Sequence, residues 1–520
     1  MGRLLGWGLL AVGLVVPSSA QAFCGFFVSG ADANLYNNAS QVVLMRKGNH
    51  TAMTMSNTYK GPPQDFAMVV PVPVVLKKEQ VKTLRPEVFK AVDSLSAPRL
   101  VEYWEQDPCY VPPPPSVQSY PMRSAGGNMM AKKGHSEKPE DYGVKIEAKF
   151  QEGEYQILIL SAKDSSGLDA WLRVSKYKIP PGAADAMAPY VRDQMKFFVA
   201  KIDIGKVKRD AHGDVVLSPL RFSFDSHELR LPVRLGLLNA ESKQDLLVYV
   251  LSPDARYEVA NYKNAFIPTN VEVADTVKTG FGAFYAELFD ETVRRNDNRV
   301  VVTEYAWDTP ILQRTPVVGW NSYHCDPCPP PVQPPPTLSD WVTLGDETIL
   351  GALANAGAKA TMNTPLPQGT PETWVLTRLH TRYDKATLSE DLVFRAAKPM
   401  IGGTSNPDGT NADQGATAST DGHSRFQGRY IIRHFWEGPV QCENPRYGIW
   451  TGPPGNMTGY RMTPGVPVGG QPQTAGDLAN AKRGTFELAK VVQSPVPTLN
   501  LKGAPARPPL RKGEKPVFPR

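Results

Sequence analysis

Beyond residue 16 this 520-residue chain has no long apolar run. A bilayer-spanning helix takes about twenty residues, so the body carries no transmembrane span. Histidine is scarce: His50, His135, His212, His227, His324, His380, His423 and His434 are scattered, and none stands in a His-Glu-x-x-His or similar metal pattern. Neither a Gly-x-Ser-x-Gly elbow nor a Gly-x-x-x-x-Gly-Lys phosphate loop is present, so no motif names a catalytic group, a cofactor or a metal. An excess of one charge is also missing from the body. The net charge is +6, but Lys502, Arg507, Arg511, Lys512, Lys515 and Arg520 crowd the last twenty residues against Glu514 alone. With the tail set aside the chain is close to neutral, which removes the electrostatic case for nucleic-acid binding. The basic end is left with at most a weak contact to anionic surfaces.

What is present begins with an export signal. Arg3 gives a positive start, residues 4–16 are apolar, and Pro17-Ser18-Ser19-Ala20-Gln21-Ala22 ends in an Ala-x-Ala cleavage pattern. Cleavage leaves Phe23 first. Cys24 follows a phenylalanine rather than the small residue that lipid attachment requires, and so reads as a disulfide cysteine. The expected location is the periplasm, the cell surface or the exterior.

Prolines then divide the chain. After the signal peptide at 1–22 come a strand-rich region at 23–110, a proline- and glycine-rich linker or loop at 111–142, and a central α+β domain at 143–322. A Cys-x-x-Cys and polyproline spacer at 323–339, a strand-rich domain at 340–453 and a proline-rich basic tail at 454–520 complete it. Strands are expected at 41–46, 50–59 and 65–72, the last alternating through Phe66, Met68, Val70 and Val72, with Pro71 and Pro73 marking a sheet edge or end. The near-continuous apolar runs at 155–160 and 246–251 read as strands covered on both faces. Further strands are expected at 373–383, 391–396 and 426–436. Ser166-Gly167-Leu168-Asp169 resembles a capping box. Phe281, Phe284, Tyr285, Leu288 and Phe289 form a helical stripe, and a helix over 183–195 should break or kink at Pro189. The fold class is α+β: predominantly antiparallel sheets partly covered by helices, disulfide-braced, with proline-rich linkers. The C-terminal tail should be disordered, with only 476–493 able to dock.

Five cysteines, Cys24, Cys109, Cys325, Cys328 and Cys442, suit an oxidising compartment. Cys24 with Cys109 would brace the N-terminal strands, contributing about 4.6 kcal/mol on the chain-entropy model, and Cys325 or Cys328 could pair with Cys442. Cys325-Asp326-Pro327-Cys328 has redox spacing, but Pro329-Pro330-Pro331 replaces the helix start that would activate a thiol. In a strand over 374–383, Arg378, His380 and Arg382 share a face. They either hold a carboxylate or phosphate or pair with Glu390 and Asp391.

Several segments, in order, carry a likeness. They are Phe23-Cys24-Gly25-Phe26-Phe27, Asp65-Phe66-Ala67-Met68-Val69-Val70-Pro71-Val72-Pro73, Ala97-Pro98-Arg99-Leu100-Val101-Glu102-Tyr103 with Asp107-Pro108-Cys109, and Ser218-Pro219-Leu220-Arg221-Phe222. Cys325-Asp326-Pro327-Cys328, Thr377-Arg378-Leu379-His380-Thr381-Arg382-Tyr383 and Gln427-Gly428-Arg429-Tyr430-Ile431-Ile432-Arg433-His434 follow. The string resembles the exported bacterial family known as domain of unknown function 2330, which implies export and no particular activity. The expected role is non-catalytic binding or scaffolding toward an envelope or extracellular partner. The rival is an exported hydrolase acting on an anionic envelope substrate through Arg378, His380 and Arg382.

Overall fold

Every residue of the strand Gln244–Ser252 is buried. Alternation sends Leu246, Val248 and Val250 into one core, and Leu247, Tyr249 and Leu251 into another. The unbroken apolar run is therefore the signature of a strand covered on both faces. The strand Phe66–Val72 behaves alike, with Met68, Val70 and Val72 on one side and Ala67 and Val69 on the other.

The computed structural model describes residues 26–29, 39–56, 66–109, 143–209 (without 176 and 178), 215–239, 243–310 (without 254), 373–404, 415–451 and 481–503. Its strands form mostly antiparallel sheets stacked in layers. A five-stranded antiparallel sheet runs Phe26–Ser29, Phe66–Val72, Lys196–Ile202, Tyr155–Ala162, Val144–Glu152. The helices Ser165–Val174 and Ala183–Arg192 cover its outer face through Leu168, Leu172, Met187 and Tyr190. Its inner face packs on a larger sheet whose middle runs Val300–Pro310, Thr373–Tyr383, Gln244–Ser252, Ala39–Lys47, His50–Met55, Leu220–Asp225. The far face of the large sheet is covered by the helices Glu87–Ser96 and Phe281–Arg295 and by a small sheet. That sheet contains Val271–Glu272, Arg429–His434, Arg99–Glu105 and Trp450–Thr451.

Strands from 23–110, 143–322 and 340–453 thus lie in one sheet. Gln244–Ser252 pairs in parallel with Ala39–Lys47 and antiparallel with Thr373–Tyr383. Such long-range pairing leaves no local trace in composition.

Several expectations change at finer scale. Pro71 sits in a strand that pairs along its whole length with Lys196–Ile202, while the pairing described on its other side, with Phe26–Ser29, runs from Phe66 to Val69. The cap of Ser165–Val174 is Asp164, whose carboxylate accepts from the Gly167 amide at 2.6 Å, not Ser166. The helix Ala183–Arg192 continues through Pro189. The strand expected over 426–436 divides at Gly428, where a Cβ would stand 3.2 Å from Ile267 and 3.3 Å from Pro98.

Among the described residues the disulfide is Cys109–Cys442, with Cα atoms 5.5 Å apart. This corrects the expected pairings of Cys109 with Cys24 and of Cys442 with Cys325 or Cys328; those three cysteines lie outside the described residues, as do the signal peptide, the linker and the polyproline spacer. The reason is topological. Arg99–Glu105 and Arg429–His434 are parallel neighbours, so the chain leaving each arrives at the same end of the small sheet.

Residues 481–503 are packed: docking was allowed for 476–493, and its extension to 503 corrects the expectation of a free tail for 494–503. Phe486 meets Phe284 edge-on, Val492, Val496 and Leu499 are buried, and Val492 bridges to Val273. If this apolar docking holds the segment, cutting an engineered protease site placed between Thr451 and Ala481 should leave the C-terminal fragment co-eluting with the body in gel filtration. Release without denaturant would contradict the packing.

Candidate functional site

Arg378, His380 and Arg382 project from one face of Thr373–Tyr383, as period two requires, toward the helices Glu87–Ser96 and Phe281–Arg295. Arg378 and His380 are completely buried there. Burying a charge without a partner is costly, and each of these finds acids. The Arg378 guanidinium donates through Nη1 to Asp93 Oδ1 and through Nε to Glu304 Oε2, both at 2.6 Å. Its Nη1 also reaches the Asp93 carbonyl at 3.2 Å, and the guanidinium carbon lies 5.6 Å from the centre of the Tyr249 ring. Its Nη2 has no hydrogen-bond partner among the described residues.

Glu304 reaches this position through a β-bulge. Val300–Pro310 pairs Thr303 with Leu379 and then Tyr305 with Arg378, so Glu304 is the extra residue and its carboxylate turns inward. One oxygen takes Arg378. The other takes the Tyr285 hydroxyl and His380 Nδ1, the latter at 2.7 Å. On the other side His380 Nε2 faces Asp245 Oδ1 at 3.2 Å, and Phe289 stacks on the imidazole with centroids 3.7 Å apart. The periphery continues the pattern. Arg382 lies 3.4 Å from Asp290, while Arg483 of the C-terminal segment lies 2.7 Å from Asp290 and 3.5 Å from Asp245. Tyr249 donates to Asp93 at 2.9 Å.

The carboxylates around the His380 ring bear on its protonation state. His380 stands between two carboxylates, Glu304 at 2.7 Å and Asp245 at 3.2 Å, which favour its imidazolium form. The ring geometry agrees, because both nitrogens face acceptor-only carboxylate oxygens. Burial alone would push the His380 pKa down, but the Glu304 and Asp245 carboxylates reverse this and hold it above 6.5. Burial likewise opposes ionisation of Glu304, yet His380 and Arg378 pull its carboxyl from 4.5 down to about 2. The phenols of Tyr285 and Tyr249 are pushed well above 10.0, by burial first and then by their acid neighbours, and stay protonated as donors.

The sign of the pH dependence follows. His380 binds its proton more tightly folded than unfolded, so its contribution is full below 6.5 and is lost as pH rises through the elevated folded value. Glu304 contributes fully above 4.5, and that contribution fades as pH falls toward about 2. Chemical denaturation across pH should therefore show declining stability on the alkaline side, and His380→Gln should flatten that decline while lowering the plateau. An alkaline limb unchanged in the variant would contradict the assignment.

These contacts correct two sequence expectations. The three side chains pair with acids, but not with Glu390 or Asp391: Asp391 instead accepts from the Tyr190 hydroxyl at 2.7 Å and the Val233 amide at 3.0 Å. Nor do Arg378 and His380 present a surface to a dissolved anion. Sequence reading missed Asp93, Asp245, Glu304 and Tyr285. The available signal was an acid set among apolar residues, as Glu304 between Val300-Val301-Val302 and Tyr305-Ala306, and Asp93 on the helix face of Phe89 and Val92. Two depressions among the described residues are open surface features. One is bordered by Tyr262, Lys263, Arg299 and Glu390, the other by Glu287, Asp290, Arg294 and Phe486.

Layers of antiparallel sheet and helix around an internally neutralised charge network define a sheet-rich α+β protein whose predicted polar cluster is part of its core. The chain belongs to the bacterial family of domain of unknown function 2330, described as an uncharacterized protein conserved in bacteria, whose family model matches residues 18–395. Comparison with curated proteins and with solved structures gave no match.

Proposed function

We propose that this chain is an exported, non-catalytic binding or scaffolding protein of the bacterial envelope. The observation that carries the reading is the pairing of Arg378 and His380 with Asp93, Glu304 and Asp245 in the interior. The cations that would make the chain an anion-processing enzyme are already neutralised by its own acids. Without them the hydrolase reading has no residues left. Export rests on the signal-peptide pattern of residues 1–22 and agrees with a disulfide between Cys109 and Cys442, a bond that persists in oxidising compartments.

Cell fractionation with in vivo crosslinking tests this reading. Mature chain beginning at Phe23 should be recovered outside the cytoplasm, crosslinked reproducibly to one defined envelope component. Cytoplasmic chain retaining Met1, or turnover of anionic envelope fragments by the purified protein, would overturn it.

A further inference from the structure

A second cluster lies at the rim of the core, on the small sheet. Glu102 is on Arg99–Glu105 and His434 ends Arg429–His434, the parallel neighbour; Ile432 pairs with Glu102, so Glu102 and His434 share a face. Asp275 opens the turn Asp275–Gly280 that follows Val271–Glu272, the strand on the other side of Arg429–His434. The ligand atoms of Glu102, Asp275 and His434 all lie within 4.8 Å of one another.

The framework is fixed from several directions. Trp104 stacks on the His434 ring with centroids 4.5 Å apart and planes at 16°. The Ala274 amide donates to the Val491 carbonyl at 2.8 Å, so the C-terminal segment anchors the turn that carries Asp275. Glu102 is only 3% exposed at its side chain, which demands a positive partner. The Lys278 ammonium lies 2.9 Å from each of its oxygens, while His434 Nε2 lies 2.9 Å from Oε2. Lys278 is half-exposed on a flexible stem and can leave for water.

We propose that Glu102, Asp275 and His434 form a site for a divalent transition-metal ion of the Zn²⁺ class, with the Lys278 ammonium as its resident competitor. One imidazole and two carboxylates are ligands such an ion accepts, with water completing the shell. The ion replaces Lys278 as the counter-charge of Glu102 and joins three chain segments at one point. No sequence motif announces the site because its ligands come from residues 102, 275 and 434.

The test uses tag-free mature chain with the disulfide formed and free thiols alkylated, so that Cys24, Cys325 and Cys328 cannot ligate. Zn²⁺ is followed by calorimetry and Co²⁺ by visible absorption. One ion per chain is expected, without a sulfur charge-transfer band. His434→Ala and the exposed Asp275→Asn should each weaken binding by about tenfold or more. Lys278→Met should strengthen it by about tenfold or more, because a competing positive charge is gone. A purely structural ion pair gives the opposite result, with Lys278→Met destabilising the fold and no ion bound. Absence of saturable binding, indifference to His434→Ala and Asp275→Asn, or weaker binding in Lys278→Met would each overturn the proposal.

Discussion

Arg378→Met should lower the stability of the chain by about 3–5 kcal/mol, the usual cost of removing one partner from a buried charge pair. The loss has two sources. Asp93 and Glu304 each forfeit a 2.6 Å hydrogen bond, and both carboxylates then stay dry with less positive charge near them. His380 still offsets Glu304, while Asp93 keeps the neutral Tyr249 hydroxyl as a donor. Arg378→Lys should recover only part of the loss, because one ammonium cannot direct donors at Asp93 and Glu304 as the planar guanidinium does. Urea denaturation measures both, and Arg378→Met combined with Asp93→Asn should be less damaging than the sum of the single variants, since the pair is removed together. Additive losses, or a loss within about 0.5 kcal/mol as for a neutral surface change, would mean that the network does not bear on folding.

Cys109→Ser should cost about 2–5 kcal/mol, toward the upper end because the bond closes a loop with a sequence separation of 333. The bond joins the ends of two parallel strands of the small sheet, so the damage should begin there. Trp450–Thr451 and the segment around Cys442 should gain hydrogen exchange before the large sheet does. Reducing the wild-type bond should reproduce the variant's loss. A wild-type chain equally stable with and without reductant would contradict this role.

Local physics made much of the secondary structure legible. The stripe from Phe281 to Phe289 gave a helix because its spacing matches one helical face, and the run at 246–251 gave a strand buried on both sides. The helix Glu87–Ser96 went unread, although Val88, Phe89 and Val92 mark its face, because prolines and strands on either side dominated the pattern. The shared face of Arg378, His380 and Arg382 was legible for the same reason as the strands. Their partners were not, since Asp93, Asp245 and Glu304 arrive from distant segments and Glu304 is turned inward by a bulge that pairing alone creates. The choice of Cys442 as the partner of Cys109 was hidden for a related reason: it depends on a parallel ladder between residues more than three hundred positions apart.

Arg378 and His380 are spent on acids inside the protein. Nitrogen NMR of the chain labelled in histidine tests this most directly at His380. The expected result is an imidazolium with both nitrogens protonated at neutral pH, unmoved by added phosphate or acidic envelope fragments. A neutral His380 ring, or one whose resonances shift on adding those anions, would contradict it.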